Sequence, residues 1–99
     1  MAKHNYIEQA FREHLANPED PKASILMIRN SKATAEFLTD FIQSGMIATL
    51  KKSDKVQLLA MLGVWCPKMA PEICTAWMEF ESDVEWIKIL RMRISTFRK

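Results

Sequence analysis

The sequence predicts an all-α protein, a single domain over residues 1–99 with four to five helices and a long C-terminal helix. Only two glycines and four prolines occur in 99 residues, which argues against a strand-and-turn fold and against disorder. Apolar residues recur at three- and four-residue spacing along almost the whole chain. A chain of this size buries about 65% of its unfolded surface, which is enough for one core.

The first helix is predicted over residues 6–16. A capping pair, Asn5 and Glu8, precedes its apolar stripe. The helix ends at Asn17-Pro18, because the residue before proline avoids the helical region of backbone space.

The second helix is predicted to begin with Asp20 as its N-cap and Pro21 in its first turn. Three large aliphatic residues of this helix are expected to face inward: Ile25, Leu26 and Ile28. Ser31 offers a new cap and predicts a break, followed by a third helix over about residues 32–44. Gly45 fits the position after that helix where a positive φ is needed.

The fourth helix is predicted from a cap at Ser53-Asp54 to about Cys66, and Pro67 ends it. Its sequence is apolar almost all round. Such a helix is expected either at the centre of the domain or under a second chain.

The C-terminal segment carries an apolar seam with strictly alternating steps of four and three residues. The seam consists of Ile73, Trp77, Phe80, Val84, Ile87, Arg91 and Ile94. It predicts one helix from Pro71 to Phe97, about 40 Å long, in a domain about 26 Å across. The rival signal is a capping box, Ser82 with Glu85, which would start a new helix near residue 83. Burial usually outweighs a cap worth about 1 kcal/mol, so the seam favours the long helix, with an end that projects or docks on a second chain.

Large side chains suited to interfaces are numerous, with seven methionines and three tryptophans. The predicted partner interface on the long helix consists of Trp77, Trp86, Leu90 and Ile94. The alternative is that these residues fill the protein's own core. The first interpretation predicts a non-enzymatic regulatory or assembly subunit that binds another protein or forms a homo-oligomer.

The positive charge is concentrated at the C-terminus, although the whole chain carries only +2. The last twelve residues contain five cations and no acid: Lys88, Arg91, Arg93, Arg98 and Lys99. These cations predict an alternative function, direct binding of nucleic acid, since phosphate binding needs several converging cations. Lys51, Lys52 and Lys55 would extend the patch if the fold brings them near. The alternative is that the terminal cations solvate a helix face and complement its dipole.

No catalytic residue, cofactor or small-molecule substrate is predicted. Gly45 and Gly63 stand alone, so the chain lacks a glycine-rich phosphate loop. His14 lies beside the apolar stripe of the first helix and is expected to be a partly buried structural residue. The acidic run over residues 79–85 is expected to be a solvated face rather than an acid–base pair.

Cys66 and Cys74 are separated by seven residues, which matches no zinc-binding spacing. We expect reduced thiols in a cytoplasmic protein, with a disulfide as the alternative. A metal site would need these cysteines and both His4 and His14 to converge without a motif, so no metal is predicted. The N-terminus does not resemble a secretory signal, and the longest uncharged run, of twelve residues, is too short to span a membrane.

Three segments, KAS near residue 22, ATLKKSDKVQLLAML ending in WC, and DVEWI, occur in an order that resembles the FlhD family of bacterial flagellar transcription co-activators. In that family a small helical subunit dimerises and joins a second, DNA-binding subunit. The resemblance covers about half of the chain and leaves residues 31–44 without a counterpart. It implies a regulatory subunit that works in a complex, and it carries no site residue over to this sequence.

Overall fold

The computed structural model describes residues 5–98, and every regular element within them is helical. The α-helices are α1 (Asn5–Ala16), α2 (Pro21–Arg29), α3 (Ser31–Gln43), α4 (Lys52–Trp65), α5 (Ala70–Phe80) and α6 (Val84–Phe97). A 3-10 turn, Met46–Thr49, joins α3 to α4. The all-α class is confirmed for this part of the chain, although it holds six α-helices rather than four or five.

Several helix ends lie where the sequence predicts them. The Asp20 side chain caps α2 by accepting a hydrogen bond of 3.0 Å from the Lys22 N–H. Gly45 follows α3 with a φ of 85°, a left-handed conformation that glycine adopts without a Cβ penalty. The last helical residue of α4 is Trp65, two residues before Pro67.

The core is one continuous cluster to which all six α-helices contribute. At its centre the ring of Phe11 lies 5.5 Å from Phe37, 5.4 Å from Phe41 and 6.3 Å from Trp65, each pair edge-to-face. The radius of gyration is 12.5 Å and the body measures 31 × 29 × 26 Å. A single helix of about 40 Å would exceed the longest of these dimensions.

The prediction of one long C-terminal helix is wrong. The helix is interrupted at residues 81–83, and α6 folds back against α5. The alternative prediction, a new helix near residue 83 capped by Ser82, is close to the observed structure, but the N-cap is Asp83. The Asp83 side chain accepts a hydrogen bond of 2.9 Å from the Glu85 N–H. Folding back buries Trp86 and Leu90, which lie off the predicted seam. The burial of these two side chains outweighs continuity of the seam.

The predicted orientation of α2 is also wrong. Ala23, Ser24 and Met27 face the core, whereas the aliphatic residues expected inside are exposed: Ile25 at 44%, Leu26 at 38% and Ile28 at 42%. The small side chains of Ala23 and Ser24 let α2 approach its neighbours closely, which is a packing advantage that larger side chains lack.

Helix α4 packs against the core with one side only. Leu58, Leu62 and Trp65 are completely buried, while Val56 and Val64 are half exposed. The expected central burial of this helix is therefore met on one side only, and the other side presents apolar side chains outward.

Candidate interaction surfaces

The predicted partner interface on the C-terminal segment is mostly interior. Trp77 and Leu90 have no exposed surface and Trp86 is 6% exposed. The indole rings of Trp77 and Trp86 stack at 5.5 Å with an angle of 22°. Ile94 alone of the four is half-buried, packed at the edge of the core. Three of the four residues therefore hold α6 to α5 and offer no surface to a partner.

A buried ion pair closes the connection between α5 and α6. Lys55 Nζ donates to both carboxylate oxygens of Glu81, at 2.9 and 3.0 Å. Trp77 Nε1 donates to the same carboxylate at 2.9 Å, and the Asp83 N–H does so at 3.2 Å. Burial alone would raise the pKa of Glu81, but these hydrogen bonds and the Lys55 charge outweigh burial and lower that pKa.

The terminal cations lie on the outer surface of α6. Lys88, Arg91 and Arg98 are spaced so that they follow one side of the helix, and Arg93 lies off that line. Among residues 5–98, Lys88 has an ion pair with Glu85 at 3.8 Å, while the three arginines form none. Lys99, also predicted to belong to this set, lies outside the described residues.

The predicted extension of this basic surface is only partly available. Lys55 is committed to Glu81, and its side chain is 12% exposed. Lys51 and Lys52 remain exposed at the start of α4. The ion pair thus removes Lys55, the last residue of the LKKSDK segment, from any phosphate-binding role.

Helix α2 presents an exposed face with three large aliphatic residues in nine helical positions. We define the α2 outer face by its five exposed residues after Pro21: Lys22, Ile25, Leu26, Ile28 and Arg29. The two cations lie seven residues apart, about 10 Å along the helix, with the aliphatic residues between them. The sequence pattern did not predict this surface, because the opposite side of α2 carries the small residues Ala23 and Ser24 rather than large aliphatic ones.

Buried polar contacts hold α2 against the rest of the domain. The Trp65 Nε1–H donates to Ser24 Oγ at 2.9 Å, and the His14 ring packs edge-to-face on Trp65 at 5.1 Å. His14 Nε2 lies 3.3 Å from Gln57 Oε1, within hydrogen-bond distance. His14 is 2% exposed, as expected for a structural histidine, and its Nδ1 has no hydrogen-bond partner. The α2 outer face therefore belongs to a helix whose buried side is held by a contact with α4.

Neither cysteine has the environment of a nucleophile. Both thiols are free and buried. Burial raises the pKa of Cys66 to about 11, and burial raises that of Cys74 to about 12 despite the opposing charge of Arg93. A reactive cysteine needs the reverse shift. Within residues 5–98 no cluster of three or more potential metal ligands occurs, and His4 lies outside that range.

A groove of about 720 Å³ runs between α3 and the connection from α4 to α5. Ala35, Pro67 and Met69 contribute apolar surface to it, and Lys32 and Asp40 place both signs of charge on its lining. This mixed lining gives the groove no preference for one charge of ligand.

Comparisons of the chain with protein-family models, with curated proteins and with solved structures found no match. The resemblance to the flagellar co-activator family accordingly stays a prediction. Of the helices within the described range, none combines the length and the apolar character needed to cross a membrane.

Proposed function

We propose that the protein is a non-enzymatic helical subunit that works by binding another protein through the α2 outer face. One observation carries the proposal: a nine-residue helix turns Ile25, Leu26 and Ile28 outward while smaller residues face the core. Exposed aliphatic side chains clustered on one element are typical of interaction sites. The raised pKa values of both cysteines argue against thiol catalysis and support a role without chemistry.

The charges on the α2 outer face indicate the kind of partner. Lys22 and Arg29 flank the aliphatic residues, and α2 itself contains no acid. A partner helix that presents an apolar stripe with carboxylates about two turns apart would match both features. We place the subunit in the cytoplasm, a location that suits its free cysteines.

The test is affinity capture from an extract of the native host with the Ile25→Ser, Ile28→Ser double variant as bait. A partner that binds the wild-type chain should be lost from this variant. Met92→Ser is the matched control, because Met92 is 72% exposed on a different helix. The proposal fails if the captured protein is retained by the α2 variant, or if Met92→Ser releases it equally.

A second candidate function, direct binding of nucleic acid, is favoured by Arg91 and Arg93 on α6 and Arg98 directly after it, which form no ion pair within residues 5–98. Its test is fluorescence anisotropy with DNA and RNA duplexes at two salt concentrations. Binding that weakens steeply with salt, and that an Arg91→Gln, Arg98→Gln variant loses, would support it. Absence of binding at about 50 mM salt would remove this candidate.

A further inference from the structure

Two signals compete in residues 71–97. The apolar seam favours one continuous helix, and the structure instead breaks it between α5 and α6. The break leaves Phe80 43% exposed and Val84 62% exposed, on either side of the connection. These two residues are four apart, so they would share one face if the helix were continuous. Neither side chain belongs to the hydrophobic core of the folded chain.

Side chains rather than backbone bonds hold the break. Within residues 5–98, α5 is the one α-helix after which no backbone N–H returns to the last turn. Glu81 leaves the helix in an extended conformation, with φ −89° and ψ 131°. The Glu81 carboxylate then accepts hydrogen bonds from α4, from α5 and from the connection itself. We call Glu81 with Lys55, Trp77 and Asp83 the hinge latch.

Nothing in the hinge sequence forbids a helix. Residues 81–83 are Glu, Ser and Asp, without glycine or proline. If they became helical, the open carbonyl groups at the end of α5 would pair with the open N–H groups at the start of α6. Straightening therefore exchanges the hinge latch for backbone hydrogen bonds, and it separates α6 from its own core.

We propose that α6 exchanges between two copies of this chain through straightening of residues 81–83. In the exchanged dimer, each α6 packs on the other copy. Its Trp86 and Leu90 side chains make there the same core contacts that they make within one chain in the monomer. The hinges of the two copies then run side by side, so Phe80 and Val84 of both copies cover one another. Short hinges that join elements with intact packing faces favour such swapping. The proposal is independent of the α2 outer face.

The first experiment refolds the full chain from denaturant at about 10 μM and at about 1 mM, and then separates monomer from dimer with mass determined by light scattering. We expect dimer after refolding at the higher concentration. Glu81→Gln breaks the ion pair of the hinge latch, and it should shift the equilibrium toward dimer by at least about tenfold. The matched control is Glu79→Gln, which makes the same charge change at an exposed position two residues earlier.

A blocking variant tests the straightening step. Ser82→Pro is compatible with the monomer, because Glu81 already has the extended ψ that precedes proline and the Ser82 N–H makes no backbone hydrogen bond. In a continuous helix the same proline would remove a hydrogen bond and clash with the preceding turn. We expect this variant to fold and to remain monomeric at both concentrations.

Spin labels at Glu72 and Thr96 measure the hinge directly in the wild-type background. Both positions are exposed, and the folded-back hairpin brings them toward the same end. In a straight helix they lie 24 residues apart, about 36 Å. Dilution with unlabelled chains restricts the signal to distances within one chain, and the dimer should show this longer distance.

The proposal is overturned if no dimer forms after refolding at the higher concentration, or if the Ser82→Pro variant dimerises like the wild type. It is also overturned if the labels at Glu72 and Thr96 in the dimer do not show the separation of about 36 Å expected for a straight helix. Equal dimerisation of Glu81→Gln and Glu79→Gln would exclude the hinge latch as the control element. If Glu81→Gln does not fold, the proline variant and the spin labels still decide the proposal.

Discussion

At the scale of single residues, the Glu81 carboxylate joins three parts of the chain. Its side chain is 3% exposed, and it meets Lys55 from α4, Trp77 from α5 and the N–H of Asp83. A buried charge is tolerated only when its hydrogen bonds are satisfied, and here four donor contacts satisfy it. The contact with Lys55 also brings that cation to 6.0 Å from the centre of the Trp86 ring.

We predict that Glu81→Gln lowers the free energy of unfolding by about 2 kcal/mol at neutral pH, since a charged hydrogen-bonded pair is lost. The folded state lowers the Glu81 pKa from its ordinary value of 4.5. Its contribution is therefore complete above that value and disappears as pH falls through the lower folded-state pKa. Urea unfolding at low protein concentration, at about pH 7 and about pH 3, should show the difference between wild type and variant shrinking in acid. A difference that stays constant with pH would contradict this role.

The two cysteines give a second prediction at the same scale. Because burial raises the pKa values of Cys66 and Cys74 to about 11 and about 12, both thiols should be protonated at neutral pH. A disulfide-exchange reagent should therefore modify the native protein at least about 100-fold more slowly than the denatured protein. The progress of the reaction at neutral pH, with and without denaturant, measures this ratio. Rapid reaction of either thiol in the folded chain would be inconsistent with the buried sites.

At the scale of elements, α2 shows what a pattern of apolar residues leaves open. Both sides of this helix are apolar or small, so its periodicity does not decide which side is buried. Contacts from distant elements decide it: Ser24 receives a hydrogen bond from Trp65, which lies 41 residues later in the chain. The ends of α2 and α3 were predictable because Asp20 and Gly45 act locally, within one turn of the helix.

We predict that the α2 outer face contributes little to folding. Ile25→Ser should lower the free energy of unfolding by less than about 1 kcal/mol, whereas Met27→Ala should lower it by about 2–5 kcal/mol. The physical reason is that Ile25 is 44% exposed and Met27 is completely buried. Urea unfolding of the two variants gives the comparison. Equal losses of stability in the two variants would mean that the α2 outer face is packed within the folded chain.

At the scale of the whole molecule, the C-terminal half shows why local patterns fail. The seam from Ile73 to Ile94 is real as a sequence pattern, but the decisive contacts come from α4. Lys55 is 26 residues from Glu81 in sequence, and its position beside the hinge depends on the complete fold. The predicted interface on Trp77 and Trp86 failed for the same reason, because the fold-back places the two indoles against each other.

The return of α6 to the body is also tested at its far end, where α4 and α6 meet at Gly63 and Phe97. A Cβ added at Gly63 would lie 2.9 Å from Cε1 of the Phe97 ring. In an ordinary helix, Gly→Ala stabilises by about 1 kcal/mol. At Gly63 the added methyl group would force the Phe97 ring to move, and the cost of that movement should cancel the stabilisation. We predict that Gly63→Ala gives no stabilisation in the wild-type chain and stabilises by about 1 kcal/mol in a Phe97→Ala background.

A double-mutant cycle of these two positions, measured by urea unfolding, isolates their coupling from the cost of each single change. Phe97 is half-buried and packs at the edge of the core, so its removal should leave a folded protein. Ala60→Gly serves as the control, because it reports the helix propensity of α4 at an exposed site. If Gly63→Ala stabilises equally in both backgrounds, α6 does not press its last turn against α4. The same cycle repeated on an isolated α6-exchanged dimer should give the same coupling, since the exchanged helix occupies the equivalent place on its partner.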